Sequence, residues 1–128
     1  MSHNQQTIKL NKARAEVYVF DNGSKVREAQ VMIHADNIGM TYKEQLDAIL
    51  DAYGSLREDL LKDYTAVFKR YYLSDAANQA EMVYARENKE CALSVVEQPP
   101  LDGTKIAIWV YLMTGVETRV SKSGLYEV

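Results

Sequence analysis

The stretch KIAIWVYLM, Lys105–Met113, constrains this chain more than any other. A β-strand sends successive side chains to opposite faces. Here Ile106, Ile108, Val110 and Leu112 share one face, and Ala107, Trp109, Tyr111 and Met113 share the other. Both faces are apolar, so both need cover. In a chain of 128 residues the helices of one domain cover one face of a sheet. Trp109 and Tyr111 then lie on the uncovered face, and a large exposed apolar patch marks an interface. The expectation is a homo-oligomer that packs its sheets face to face, with Trp109 and Tyr111 at the contact.

The residues before this strand are equally organised. Ala92–Gln98 reads as another strand, Pro99-Pro100 stops it, and Asp102-Gly103 turns the chain. Nearer the start, Asn22-Gly23 joins two apolar runs and signals a β-hairpin of Ala15–Phe20 with Lys25–His34. In Thr41–Gly54, Thr41 and Glu44 form a capping box. Tyr42, Leu46, Ile49, Leu50 and Tyr53 recur on one helical face, and Gly54 stands where a left-handed C-cap belongs. LKDYTAVFKRYYLS reads as a strand. Ser74 or Asp75 can cap a second helix, in which Ala76, Ala80, Val83 and Tyr84 share a face. The order is ββ-α-β-α-ββ: an α+β fold, a mixed sheet with two helices on one face.

Composition bounds the rest. The chain is 47% hydrophobic and 26% charged, as a globular domain is. A single domain over 1–128 of this size buries roughly two thirds of the surface its unfolded chain exposes. The net charge of -3 and the lack of a basic aromatic strip argue against nucleic acid as a partner. One cysteine, Cys91, allows no intrachain disulfide, and no apolar run is long enough to span a membrane. A cytoplasmic location is expected. About 1–14 and 115–128 read as flexible ends.

Residues 44–85, EQLDAILDAYGSLREDLLKDYTAVFKRYYLSDAANQAEMVYA, resemble the middle of the Rid/YjgF family of enamine/imine deaminases, also described as endoribonuclease L-PSP-like. Gly54 fits the family's helix end, and Val67 with Tyr71–Asp75 fits its following strand. Cys91–Leu112 resembles the family's final hairpin. The likeness covers roughly Thr41 to Leu112. It implies a chorismate-mutase-like fold and a homotrimer with ligand clefts between subunits, and it implies no cofactor. Two departures stand out. Active members carry an Arg at the start of the penultimate strand that grips the substrate carboxylate. Ala92 or Cys91 stands there in this chain. Active members carry a Glu early on the last strand that positions water. Ala107 stands in that register, with Trp109 two residues on.

Three readings follow. The first is a divergent Rid/YjgF-like trimer that binds a small metabolite without the family's imine hydrolysis. The second is an imine/enamine deaminase with relocated groups: Arg70 as a replacement cation, and water held by Ser94 or backbone. The third is an N-terminal module of a tandem Rid-like or chorismatase-like protein. The cleft candidates are Arg70, Tyr72, Ala92, Ser94, Gln98, Ala107 and Trp109. Four have a plainer reading: Arg70 as a solvated or ion-paired strand residue, Ser94 and Gln98 as satisfied sheet groups, Trp109 as packing. Cys91 has no helix start or nearby His to activate it and reads as a structural thiol. His3 and His34 make no metal pattern and read as ordinary surface or core histidines.

Overall fold

The computed structural model describes residues 2–21, 26–87 and 89–115. Its strands are β1 (Ser2–Leu10), β2 (Ala13–Asp21), β3 (Arg27–Ala35), β4 (Thr65–Leu73), β5 (Ala92–Glu97) and β6 (Ile106–Met113). The helices are α1 (Tyr42–Glu58), between β3 and β4, and α2 (Ala76–Arg86), between β4 and β5. One six-stranded sheet runs in the order β1-β2-β3-β6-β4-β5. All neighbours pair antiparallel except β4 and β5, which are parallel.

Connectivity explains where the helices go. The chain crosses from β3 to β4 through α1 and from β4 to β5 through α2. Parallel crossovers are right-handed, and both step the same way along the sheet, so both helices land on one face. The helices touch: the Tyr42 hydroxyl donates to the Gln79 carbonyl at 2.7 Å, and Arg86 pairs with Asp47 at 2.5 Å. Beneath them lie Ala15 and Val17 of β2, Val31 and Ile33 of β3, Tyr71 and Leu73 of β4, and Ile106, Ile108, Val110 and Leu112 of β6, all fully buried. Leu46 and Ile49 of α1 and Val83 of α2 close the core from above.

Several local expectations change. The sequence assigns no element before Ala15, yet the polar residues 2–10 form edge strand β1. Among the described side chains of β1, Ile8 and Leu10 pack on the core; the ladder to β2 holds the strand, and polar residues suit an edge. The Asn22-Gly23 turn lies outside the described residues, as do residues 116–128. The expected final hairpin does not form. β4 lies between β5 and β6, so the loop from Gln98 to Lys105 carries the chain across it. Tyr84 is 57% exposed rather than on the buried face of α2. Asp75 occupies the α2 N-cap position without a side-chain cap bond; instead the Gln79 amide accepts from the Asp75 backbone N–H and donates to the Ser74 hydroxyl.

The capping box of α1 is present in both directions. The Thr41 N–H donates to Glu44 at 2.9 Å and the Glu44 N–H donates to Thr41 Oγ1 at 3.2 Å. The helix then runs past Gly54 to a C-cap at Asp59. Gly54 is therefore interior and solvent-exposed, and a Cβ built there meets nothing within 4 Å. A glycine inside a helix costs roughly 1 kcal/mol relative to alanine. Gly54→Ala is expected to raise unfolding stability by about that amount in a urea titration; a decrease would return Gly54 to a strained helix end.

Candidate functional site

β4 divides its polar side chains between two sites on opposite faces of the sheet. A register shift between Ala66 and Phe68 sets its phase. Beyond that bulge, Lys69, Tyr71 and Leu73 point to the helices. Phe68, Arg70 and Tyr72 point to the open face.

On the open face the loop after β5 arches over the ends of β3, β4 and β6 and makes a cleft of about 500 Å³. Glu16, Met32, His34, Tyr72, Gln98, Asp102 and Ala107 are among its lining residues, with Pro99, Pro100 and the fully exposed Leu101 at its rim. Asp102 is the anchor of the loop. The Thr104 hydroxyl and backbone N–H donate to Asp102 Oδ1 at 2.6 and 3.0 Å. Gly103 follows with φ of +86°, a conformation that favours glycine. On its other oxygen Asp102 meets His34 Nδ1. Arg14 Nη2 lies 3.3 Å from His34 Nε2 and 3.9 Å from Asp102. Arginine is only a donor, so Nε2 accepts and Nδ1 carries the proton it gives to Asp102. Partial burial pushes the Asp102 carboxyl up, but the bonds from Thr104 and His34 outweigh it and hold it below the usual carboxylate range.

Of the seven cleft candidates, Tyr72, Gln98 and Ala107 line this cavity. Arg70 pairs in register with Ser94 on one side and Trp109 on the other, one row away. Ala92 lies a further row along, beside Phe68. Trp109 stacks on Tyr111 with centroids 6.4 Å apart and meets Phe68 edge-on at 5.8 Å. The Arg70 guanidinium lies 5.3 Å over the Phe68 ring, and its buried Nε has no hydrogen-bond partner.

The helix side holds a buried ion cluster. Lys69 Nζ lies 2.7 Å from Glu87 and 3.0 Å from Glu90, and the side chains of Lys69 and Glu87 are 3% and 4% exposed. The Tyr71 hydroxyl donates to Glu87 at 2.9 Å and the Tyr53 hydroxyl to Glu90 at 2.5 Å. Arg57 donates to the Tyr53 oxygen and to the Tyr64 carbonyl, both at 3.0 Å. Burial pushes the Lys69 ammonium down, but the Glu87 bond and the Glu90 charge prevail and raise it. Burial pushes Glu90 up, but Tyr53 and Lys69 prevail and lower it. Every charge here is paired within the cluster, so it ties the exit of α2 to the sheet. Cys91 is buried next to it. Burial, reinforced by Glu90 and Glu87, pushes its thiol up to about 12, so it is protonated and a poor nucleophile at neutral pH.

Sequence reasoning missed His34 with Asp102, and Lys69 with Glu87 and Glu90. Their partners are 68, 18 and 21 positions apart in the chain, so no local motif joins them. One signal was available: Lys69 keeps the phase of Tyr71 and Leu73, which marks it as a buried lysine needing partners. Among the described residues no group of three or more His, Cys, Asp or Glu is placed to hold a metal. No helix there is long and apolar enough to cross a membrane. Set against models of known protein families, curated proteins and solved structures, the chain matches none.

The cluster sets a pH window. Glu90 is lowered in the fold, so its stabilisation is in place above the unfolded carboxylate value of about 4.3 and is lost as pH falls through the folded value. Lys69 is raised, so its stabilisation is in place below about 10.4 and is lost as pH rises through the folded value. Melting temperature against pH is expected to be flat between these limits and to fall on both sides. Lys69→Met leaves Glu87 buried and unpaired, so calorimetry should show a loss of roughly 3–5 kcal/mol at neutral pH; an unchanged melt would mean the cluster is solvated. Cys91 is expected to resist iodoacetamide at neutral pH until the protein is unfolded, followed by mass spectrometry of the intact chain.

Proposed function

We propose that this protein is a divergent Rid/YjgF-like scaffold, of chorismate-mutase-like fold, that assembles as a homotrimer and binds a small metabolite in the open-face cleft without hydrolysing imines. One observation carries the reading. Ala107, in the register of the family's water-positioning Glu, lines the cleft, while Ala92, in the register of its Arg, lies on the same face two rows away. A cavity lined by Ala107, with no charge at Ala107 or at Ala92 or Cys91, supports this reading. Each charge-assisted bond lost from a carboxylate clamp removes on the order of 1.5–3 kcal/mol, which leaves such a substrate without its grip. Support for the assembly comes from Phe68, Trp109 and Tyr111, an aromatic strip on the face that no helix of the described residues covers.

A second reading keeps the deaminase chemistry on relocated groups. What favours it is the pairing of Arg70 with Ser94 in adjacent strands and the unpartnered Nε of Arg70. Water is the nucleophile in imine hydrolysis, so a few placed donors suffice.

A coupled assay separates the two. A dehydratase generates 2-aminoacrylate from serine, and appearance of the keto acid is followed with and without this protein. No acceleration is expected. Acceleration to the level of an active family member would refute the first reading, and its survival in Arg70→Ala would also sink the second. Sedimentation should give three copies of the 14.5 kDa chain, and Trp109→Glu should release single chains; a wild-type monomer would rule the assembly out.

A further inference from the structure

The open-face cleft contains a charge that nothing in the described chain answers. Glu16 lines it from β2, half-buried, and its carboxylate has no hydrogen bond or ion pair among the described residues. Arg14 shares its face two residues earlier, but its Nη2 is turned to His34 and Asp102 and its buried Nε has no hydrogen-bond partner, so it does not meet Glu16. Asp102 is in turn satisfied by Thr104 and His34. Arg70 shares the cross-strand row of Glu16, yet Met32 and Trp109 stand between them. Three strand spacings separate the two, roughly 14 Å.

With both imidazole nitrogens of His34 engaged, the polar groups left in the cleft are the Glu16 carboxylate, the Tyr72 hydroxyl and the Gln98 amide. None of the three is a cation. The remaining lining, from Met32 and Ala107 to the Pro99–Leu101 rim, is apolar. The unpartnered Glu16 oxygens keep access to the cleft rather than being sealed in the protein, so they are open to a cation that enters beside the apolar wall. We infer that the cleft takes a small organic amine, bound as its ammonium, with Glu16 as the ion partner and Met32 and Tyr72 against its carbon body. The inference rests on the metabolite-binding reading and reverses the ligand charge implied by the family resemblance, which is a carboxylate held by an arginine.

A matched pair of probes tests it. 2-Phenylethylamine and 3-phenylpropanoate share a carbon body and differ in the charged end. Calorimetric titration of the full chain should show the amine binding at least about tenfold more tightly, one charge-assisted bond or more. Glu16→Gln should weaken the amine on the order of 10–100-fold, with melting temperature and sedimentation unchanged. If the carboxylate binds as well or better and Glu16→Gln has no effect on either probe, the amine inference is overturned while the binding reading stands. If neither probe nor a wider panel of small metabolites binds, both fall. If Glu16→Gln alters sedimentation and leaves amine affinity intact, Glu16 answers a neighbouring subunit and the inference is overturned.

Discussion

Ile106, Ile108, Val110 and Leu112 of β6 are fully buried under the two helices, while Trp109 and Tyr111 of the same strand are half-buried on the other face. A central strand of this kind needs an apolar cover on each side. The two crossovers place both covers on one side, because each is right-handed and each advances in the same direction. That asymmetry organises the molecule. It gives a closed helix side where the core lies, and an open side where side chains of four strands are gathered beneath a loop. Among the described residues no helix lies on the face that carries the cleft and the aromatic strip.

β4 carries the same asymmetry in its polar groups. Its bulge at Ala66 and Phe68 fixes the phase that sends Lys69 inward and Arg70 outward. Inside, desolvation is severe, and Lys69 is tolerated because Glu87, Glu90 and two tyrosine hydroxyls surround it. A buried ion pair of this kind adds little net stability, yet breaking it is expensive. Its effect is to fix where the segment after α2 meets the sheet, and so where β5 begins. Outside, Arg70 lies over an aromatic ring with its neighbours in register. Adjacent residues of one strand therefore serve a structural network and a candidate ligand surface.

The electrostatics of the open face depart from the resemblance. The positions that the resemblance would match, Ala92 or Cys91 and Ala107, hold no charge. Arg14 and Asp102 both meet His34 at the cleft edge and pin the loop that roofs it, while the buried Arg14 Nε has no hydrogen-bond partner. Among the described residues, the Glu16 carboxylate lines the cleft without a hydrogen-bond or ion partner. A site whose free charge is negative selects by a different rule from one built around an arginine, because discrimination follows the group left unpaired. Fold resemblance does not transfer chemistry, and here the two point in opposite directions.

By itself the sequence determined the elements whose signals are local. The alternation of Lys105–Met113, the capping box at Thr41 and Glu44, and the aromatic, β-branched run before Ser74 each encode their structure within a few residues. They fixed an α+β chain with a mixed sheet, and they placed Trp109 and Tyr111 opposite the helices. Tertiary structure decided what depends on distant partners. The polar β1 became a strand because β2 offered it a ladder. Gly54 stayed helical because α1 had apolar contacts to make as far as Leu56. β5 and β6 separated because β4 took the place between them. The cleft was legible in part: Tyr72, Gln98 and Ala107 could be read from strand phase. Glu16, His34 and Asp102 could not, since one lies on β2, one on β3 and one in a loop 68 residues beyond His34. Burial and pairing energies arise only when the sheet brings these strands side by side, and the one-dimensional chain carries no record of which polar side chains that assembly leaves without a partner.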